Sequence, residues 1–116
     1  MTDLTAWLGP AAADLTPQQI EQVSAEARSI AARYPDPDDQ PDRDAALSAT
    51  VQYLLGDTTP EDARRALIAA RLREREAYVA AVQHAVMLVR DGGQKKAAAL
   101  ACGIDRMTLL KALGER

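Results

Sequence analysis

Phenylalanine is absent from this 116-residue chain, and one tryptophan with three tyrosines makes up its whole aromatic content. A core centred on aromatic rings is thereby excluded. Leu, Ile and Val must fill the interior, helped by close helix contacts through alanine, which supplies about a fifth of the residues. Such a core is thin for a monomer, so burial against a second copy is expected. Cys102 is the single cysteine, which rules out an internal disulfide framework and fits a reducing cytoplasm. A thiol at that small-residue position is expected to be buried and inert. His84 is the only histidine; without a second His or a Cys pair it makes no metal site, and it is expected to lie half-buried on a helix.

Other absences narrow the class further. No apolar run approaches the roughly 20 residues needed to span a bilayer, and no signal-peptide pattern opens the chain. A soluble cytoplasmic protein without a membrane partner is the expectation. Strand signals and internal repeats are missing, which leaves an all-α fold. The densest acids sit in a Pro-rich connector where nothing would exclude water, and no nucleophile–base pair or phosphate-cradling loop is visible. The reading is therefore of a non-enzyme that needs no cofactor.

What the chain does have is a division of charge. The formal net charge of -3 combines ten acids and three bases in residues 1–60 with seven acids and eleven bases in residues 61–116. The two halves thus carry -7 and +4. Residues 92–116 hold five bases against two acids. An acidic amino half beside a basic carboxyl half suits a nucleic-acid binder with a separate arm, although Arg-rich helical faces are also often merely solvated. The acidic half could mediate assembly, repel nonspecific DNA or hold a protein partner.

Helix punctuation organises the chain. Residues 1–15 are Ala-rich, with Trp7 and Leu8 as their large apolar anchors, and Gly9-Pro10 interrupts any helix. Thr16-Pro17-Gln18-Gln19 starts one: threonine caps, proline takes the first helical position, and Gln19 can close a capping box. Ile20, Val23, Ala27, Ile30, Ala31 and Tyr34 follow at helical spacing, predicting a helix near 17–34. Three prolines and three aspartates in 35–41 then form an exposed acidic connector. A second helix is expected at 42–55, closed by Gly56. Thr59-Pro60-Glu61-Asp62 opens a third, running without Pro or Gly to Asp91, about 48 Å at the usual rise. A break near Arg73–Glu76 stays open, and so does the role of the Arg/Glu stretch 64–76: a solvated or interhelical face, or a second DNA-facing surface. Residues 1–58 and 59–116 are the expected regions.

The richest segment runs from Gln94 to Leu113. It reads as two short helices joined at Gly103, the spacing of a helix-turn-helix. Ala98 and Ala99 allow close approach, and Gly103 can take the positive φ of a sharp helix exit. Asp105 is placed to cap the second helix by accepting from the N–H of Met107 or Thr108. Ile104 and Leu109 are placed as a hydrophobic staple. Ile104, Leu109 and Leu113 then face inward, leaving Arg106, Thr108 and Lys111 outside. Arg106 stands against the helix macrodipole, which local helix stability would not select, and a guanidinium there can pair with a guanine edge. Lys95, Lys96 and Lys111 flank one surface suited to phosphates.

Residues 94–113 resemble the carboxy-terminal helix-turn-helix of the Fis (factor for inversion stimulation) family, also found at the end of NtrC-type activators. The likeness is carried by Ala98-Ala99-Leu100 and by Gly103, Ile104, Arg106, Thr108, Leu109, Lys111 and Leu113. Recombinases of the resolvase and invertase type carry a similar terminal segment. The resemblance implies that helix 105–114 enters the major groove, with Arg106 reading a guanine and Thr108 and Lys111 holding phosphates. Gln94 and Lys96 would contact the DNA backbone. Leu110 stands where that family has a basic residue, so one contact should be lost. Met107 replaces a glycine and could crowd the approach or meet a thymine methyl. The expected protein is a nucleoid-associated, homodimeric transcriptional regulator that prefers certain double-stranded DNA sequences. An adaptor whose helix-turn-helix no longer touches DNA, or a phage or plasmid DNA-packaging or assembly factor, are the alternatives.

Overall fold

A computed structural model describes residues 4–115, and every regular element among them is helical. The α-helices are α1 (Leu4–Leu8), α2 (Pro17–Arg33), α3 (Gln40–Leu55), α4 (Pro60–Arg90), α5 (Lys95–Cys102) and α6 (Arg106–Ala112), with 3-10 turns at Gly9–Asp14 and Pro37–Asp39. The all-α expectation holds; about five helices become six, because the Ala-rich amino segment also folds. Arg116, counted above among the terminal bases, lies outside the described residues. The chain forms two compact units, Met1–Ala63 and Arg64–Arg116.

The first unit is a helical hairpin with a short arm laid on it. α2 opens as its sequence demands: Thr16 Oγ1 accepts from the Gln19 N–H at 3.1 Å, and the Gln19 side chain accepts from the Thr16 N–H at 2.9 Å. Val23 and Ile30 project from α2 onto Leu47 and Val51 of α3, and Leu8 and Leu15 close the same cluster. Val23 is fully buried, which contributes about 1.5–3 kcal/mol by removal from water. Trp7 packs partly buried against this cluster, so the arm is tethered by burial although its local pattern is weak.

The acidic connector is more ordered than its composition suggests. Asp36 accepts from the Asp38 N–H and starts a 3-10 turn, and α3 begins at Gln40, ahead of the expected 42. Proline causes the shift, since Pro41 tolerates the first turn of a helix. Arg43 clamps the connector by donating to the carbonyls of Tyr34 and Asp36 and to Gln40.

The second unit has its own core of Ala85, Val86, Ala98, Ala99 and Leu109, with Val89, Cys102, Ile104 and Leu113 packed around it. α4 is continuous through Arg73–Glu76, which settles that question. Its start is a reciprocal cap: Thr59 Oγ1 accepts from the Asp62 N–H at 3.1 Å, and Asp62 accepts from the Thr59 N–H at 3.0 Å. The Thr59 N–H first, and the Thr59 hydroxyl after it, hold the Asp62 carboxyl below its usual range. At the far end, the Gly92 N–H reaches the Val89 carbonyl and the Gly93 N–H the Leu88 carbonyl, satisfying two orphan acceptors. Gly93 has to be glycine for space: a Cβ would lie 2.8 Å from the Leu88 oxygen.

Candidate functional site

α5 and α6 meet through their smallest and largest apolar residues. Ala98 and Ala99 lie only 3% exposed, so the α5 backbone comes close to its neighbours, and Leu109 of α6 fills the junction completely. The turn follows the glycine logic of the sequence. Gly103 sits at φ 69°, its N–H donates to the Leu100 carbonyl, and the Ile104 N–H donates to the Ala99 carbonyl. A side chain there would meet open space, so the constraint is the left-handed backbone and not crowding. Ile104 packs against the cluster that holds Leu109, as the staple requires.

One cap fails. Asp105 stands at the N-cap of α6 with extended backbone but makes no side-chain cap bond. The staple and the burial of Leu109 suffice to start this seven-residue helix, and the Asp105 carboxylate stays in water.

The expected contact residues divide into three groups. Arg106, Met107 and Lys111 are exposed on α6, and Gln94 and Lys96 are exposed at the start of α5. All five side chains are accessible to solvent. Lys95 is half-buried and its ammonium pairs with Glu115 at 2.5 Å, so its charge is already partly answered. A surface pair of this kind contributes only about 0–1 kcal/mol and is open to competition from a stronger anion. Thr108 is half-buried and accepts a hydrogen bond from the Tyr78 hydroxyl of α4 at 3.3 Å, which leaves its own O–H free to donate. Leu110, beside it, is also half-buried.

Two other expectations change. His84 is exposed, not half-buried, because Ala85 and Val86 turn the core-facing side of α4 away from it. Cys102 is half-buried, so its sulfur is less enclosed than a core thiol. Among the described residues no group of His, Cys, Asp or Glu is arranged to hold a metal ion, and no helix is long and apolar enough to cross a membrane.

Sequence reasoning missed Tyr78, Glu115 and Leu100 as members of this surface. Tyr78 carried no local signal of its role, because its partner lies 30 positions away. Glu115 is brought back to Lys95 by the turn at Gly114, where φ is 80°. Leu100 is 81% exposed on α5, an apolar side chain standing clear of the core. Comparison of the chain with protein families, with curated proteins and with solved structures finds no match in any of the three.

Proposed function

We propose that α5 and α6 form a helix-turn-helix and that the chain binds double-stranded DNA with a sequence preference, α6 lying in the major groove. The observation that carries this reading is the polarity of α6: Leu109 is fully buried while Met107 and Lys111 stand in solvent on the opposite side and Arg106 is exposed at the first turn. Arg106 is the base reader, able to pair with O6 and N7 of guanine through its planar fork. Met107 offers an apolar surface to a thymine methyl. Lys111, Lys96 and Gln94 supply phosphate and backbone contacts, which set affinity and register. Lys95 joins them once Glu115 releases it. Thr108 donates its O–H to a phosphate while accepting from Tyr78, which helps to position α6.

Homodimerisation and regulation of transcription in the cytoplasm complete the proposal. Two copies of the motif could meet successive major grooves about 34–36 Å apart. Self-association is supported by α4, where Ile68, Leu72 and Val79 stand 56–58% exposed at spacings of four and seven on one side. An apolar stripe of that kind is suited to a partner helix. The acidic first unit remains available for a protein partner.

The test is duplex binding by fluorescence anisotropy across a salt series. The affinity should fall linearly on a log–log scale, with a slope set by the number of phosphates neutralised. Absence of binding to any duplex at low salt overturns the proposal. A second reading, an adaptor that meets protein through this pair, is favoured by the exposed Leu100. It predicts no duplex binding at low salt, together with loss of the protein contact in Leu100→Ser.

A further inference from the structure

The first unit contains a cleft that the DNA reading does not use. It measures about 430 Å³ and opens between α1, α2 and α3. That volume falls in the range of small-molecule sites. Its walls are mostly apolar: Trp7 comes from α1, Ala27 and Ile30 from α2, and Leu47 from α3. The polar groups on its rim differ in how far they are already committed.

Arg43 is spent on the carbonyls of Tyr34 and Asp36 and on Gln40. Gln40 in turn donates to Asp44 at 2.8 Å. Arg28 and Ser24 also line the cleft, one helical turn apart on α2, and neither side chain has a hydrogen bond or ion pair among the described residues. A guanidinium and a hydroxyl at that spacing can grip a planar carboxylate, the first through two parallel N–H donors. Asp44, which lines the cleft from α3, disfavours a second negative charge in it.

We propose that this cleft binds a small amphipathic monocarboxylate, its apolar body against Trp7, Ile30 and Leu47 and its carboxylate on Arg28 and Ser24. The site belongs to the first unit, so the proposal stands or falls independently of DNA binding.

Trp7 is the only tryptophan in the chain, so its emission reports directly on the cleft. The experiment titrates the full chain with 4-phenylbutyrate, with its neutral amide and with phenyl phosphate. A saturable change in Trp7 emission is expected for the carboxylate, at least about tenfold tighter than for the amide or the dianion, a margin of about 1.4 kcal/mol. Arg28→Gln should erase that preference while leaving helicity unchanged, since Arg28 is exposed. Ala31→Phe, on the cleft wall, should block all three ligands. Equal affinities for carboxylate and amide, or a preference that survives Arg28→Gln, would overturn the proposal. So would the lack of any saturable response in a chain whose circular dichroism shows it folded.

Discussion

The Tyr78 hydroxyl donates to Thr108 Oγ1 at 3.3 Å, joining the middle of α4 to the first turn of α6 across 30 positions. Leu109 is buried on the inner side of α6, Ile104 and Leu113 pack on the same cluster at its two ends, and Asp105 makes no cap bond. Tyr78 adds a polar point of attachment to this apolar packing. It also gives Thr108, an expected DNA contact, a partner within the chain.

Tyr78→Phe keeps the ring and deletes the donor. Because Tyr78 is half exposed, water can replace the lost partner, so the expected loss of stability is about 1 kcal/mol or less. The effect on binding should be larger in preference than in affinity: discrimination at the position read by Arg106 weakens, while affinity for random duplex stays as it was. Thermal melting and competition between selected and random duplexes measure the two separately. A variant with unchanged discrimination would mean that the apolar packing of Leu109, Ile104 and Leu113 holds α6 in place without the bond.

The two cores can be broken one at a time. Leu109→Ala empties the fully buried centre of the second unit, and Val23→Ala trims the fully buried centre of the first. Loss of Leu109 should cost about 2–5 kcal/mol, more than five alanine-rich core positions can absorb. Trp7 sits in the first unit. Its emission should therefore keep its native maximum in Leu109→Ala while part of the helical dichroism is lost. In Val23→Ala the emission maximum itself should melt earlier. Parallel loss of both signals in either variant would show that the units unfold as one.

What was legible in the sequence follows where the information is local. Thr16 with Gln19, Thr59 with Pro60, and the glycines at 56, 92 and 103 each state a helix boundary through chemistry contained in four or five residues, and each boundary falls where that chemistry puts it. The pivot Leu109 and its staple partner Ile104 were legible for the same reason. α1 was not: five residues cannot sustain a helix without tertiary support, and that support comes from Leu8 and Leu15 meeting residues of α2 and α3. The pairing of Lys95 with Glu115 and of Tyr78 with Thr108 was equally hidden, since each depends on how helices pack and not on spacing within one. Asp105 shows the opposite failure, where a favourable local signal goes unused because packing already fixes the helix start.

Acid should loosen the start of α4 before it touches either core. The Asp62 carboxyl is held below its usual range by the Thr59 N–H and hydroxyl. A carboxyl whose folded pKa is depressed contributes fully above its unfolded pKa, near 3.9, and loses that contribution as pH falls through the lower folded value. Amide exchange at Ala63 and at the residues after it should therefore accelerate below about pH 4. In Asp62→Ala the same amides should exchange fast at neutral pH and show no further acid step. An acid step that persists in the variant would assign the transition to another carboxylate.

Three cations of the α5–α6 surface should answer differently to removal, because the structure gives each a different starting state. Arg106 is exposed at the start of α6 and faces the helix macrodipole, so Arg106→Ala costs the free protein nothing and can slightly stabilise it. On DNA the same change should remove about 1–3 kcal/mol of preference at one base pair. Lys96 is exposed, and Lys96→Ala should weaken every duplex alike and lower the salt slope by about one. Lys95 begins paired to Glu115, so part of what it contributes on DNA is offset by the ion pair it leaves. Lys95→Ala should therefore lose less affinity than Lys96→Ala, whereas Glu115→Gln should gain affinity by freeing the ammonium. Selection from random duplexes followed by anisotropy on the winning site measures all four. Equal losses at Lys95 and Lys96, with no gain from Glu115→Gln, would show that the Lys95–Glu115 pair is absent in solution.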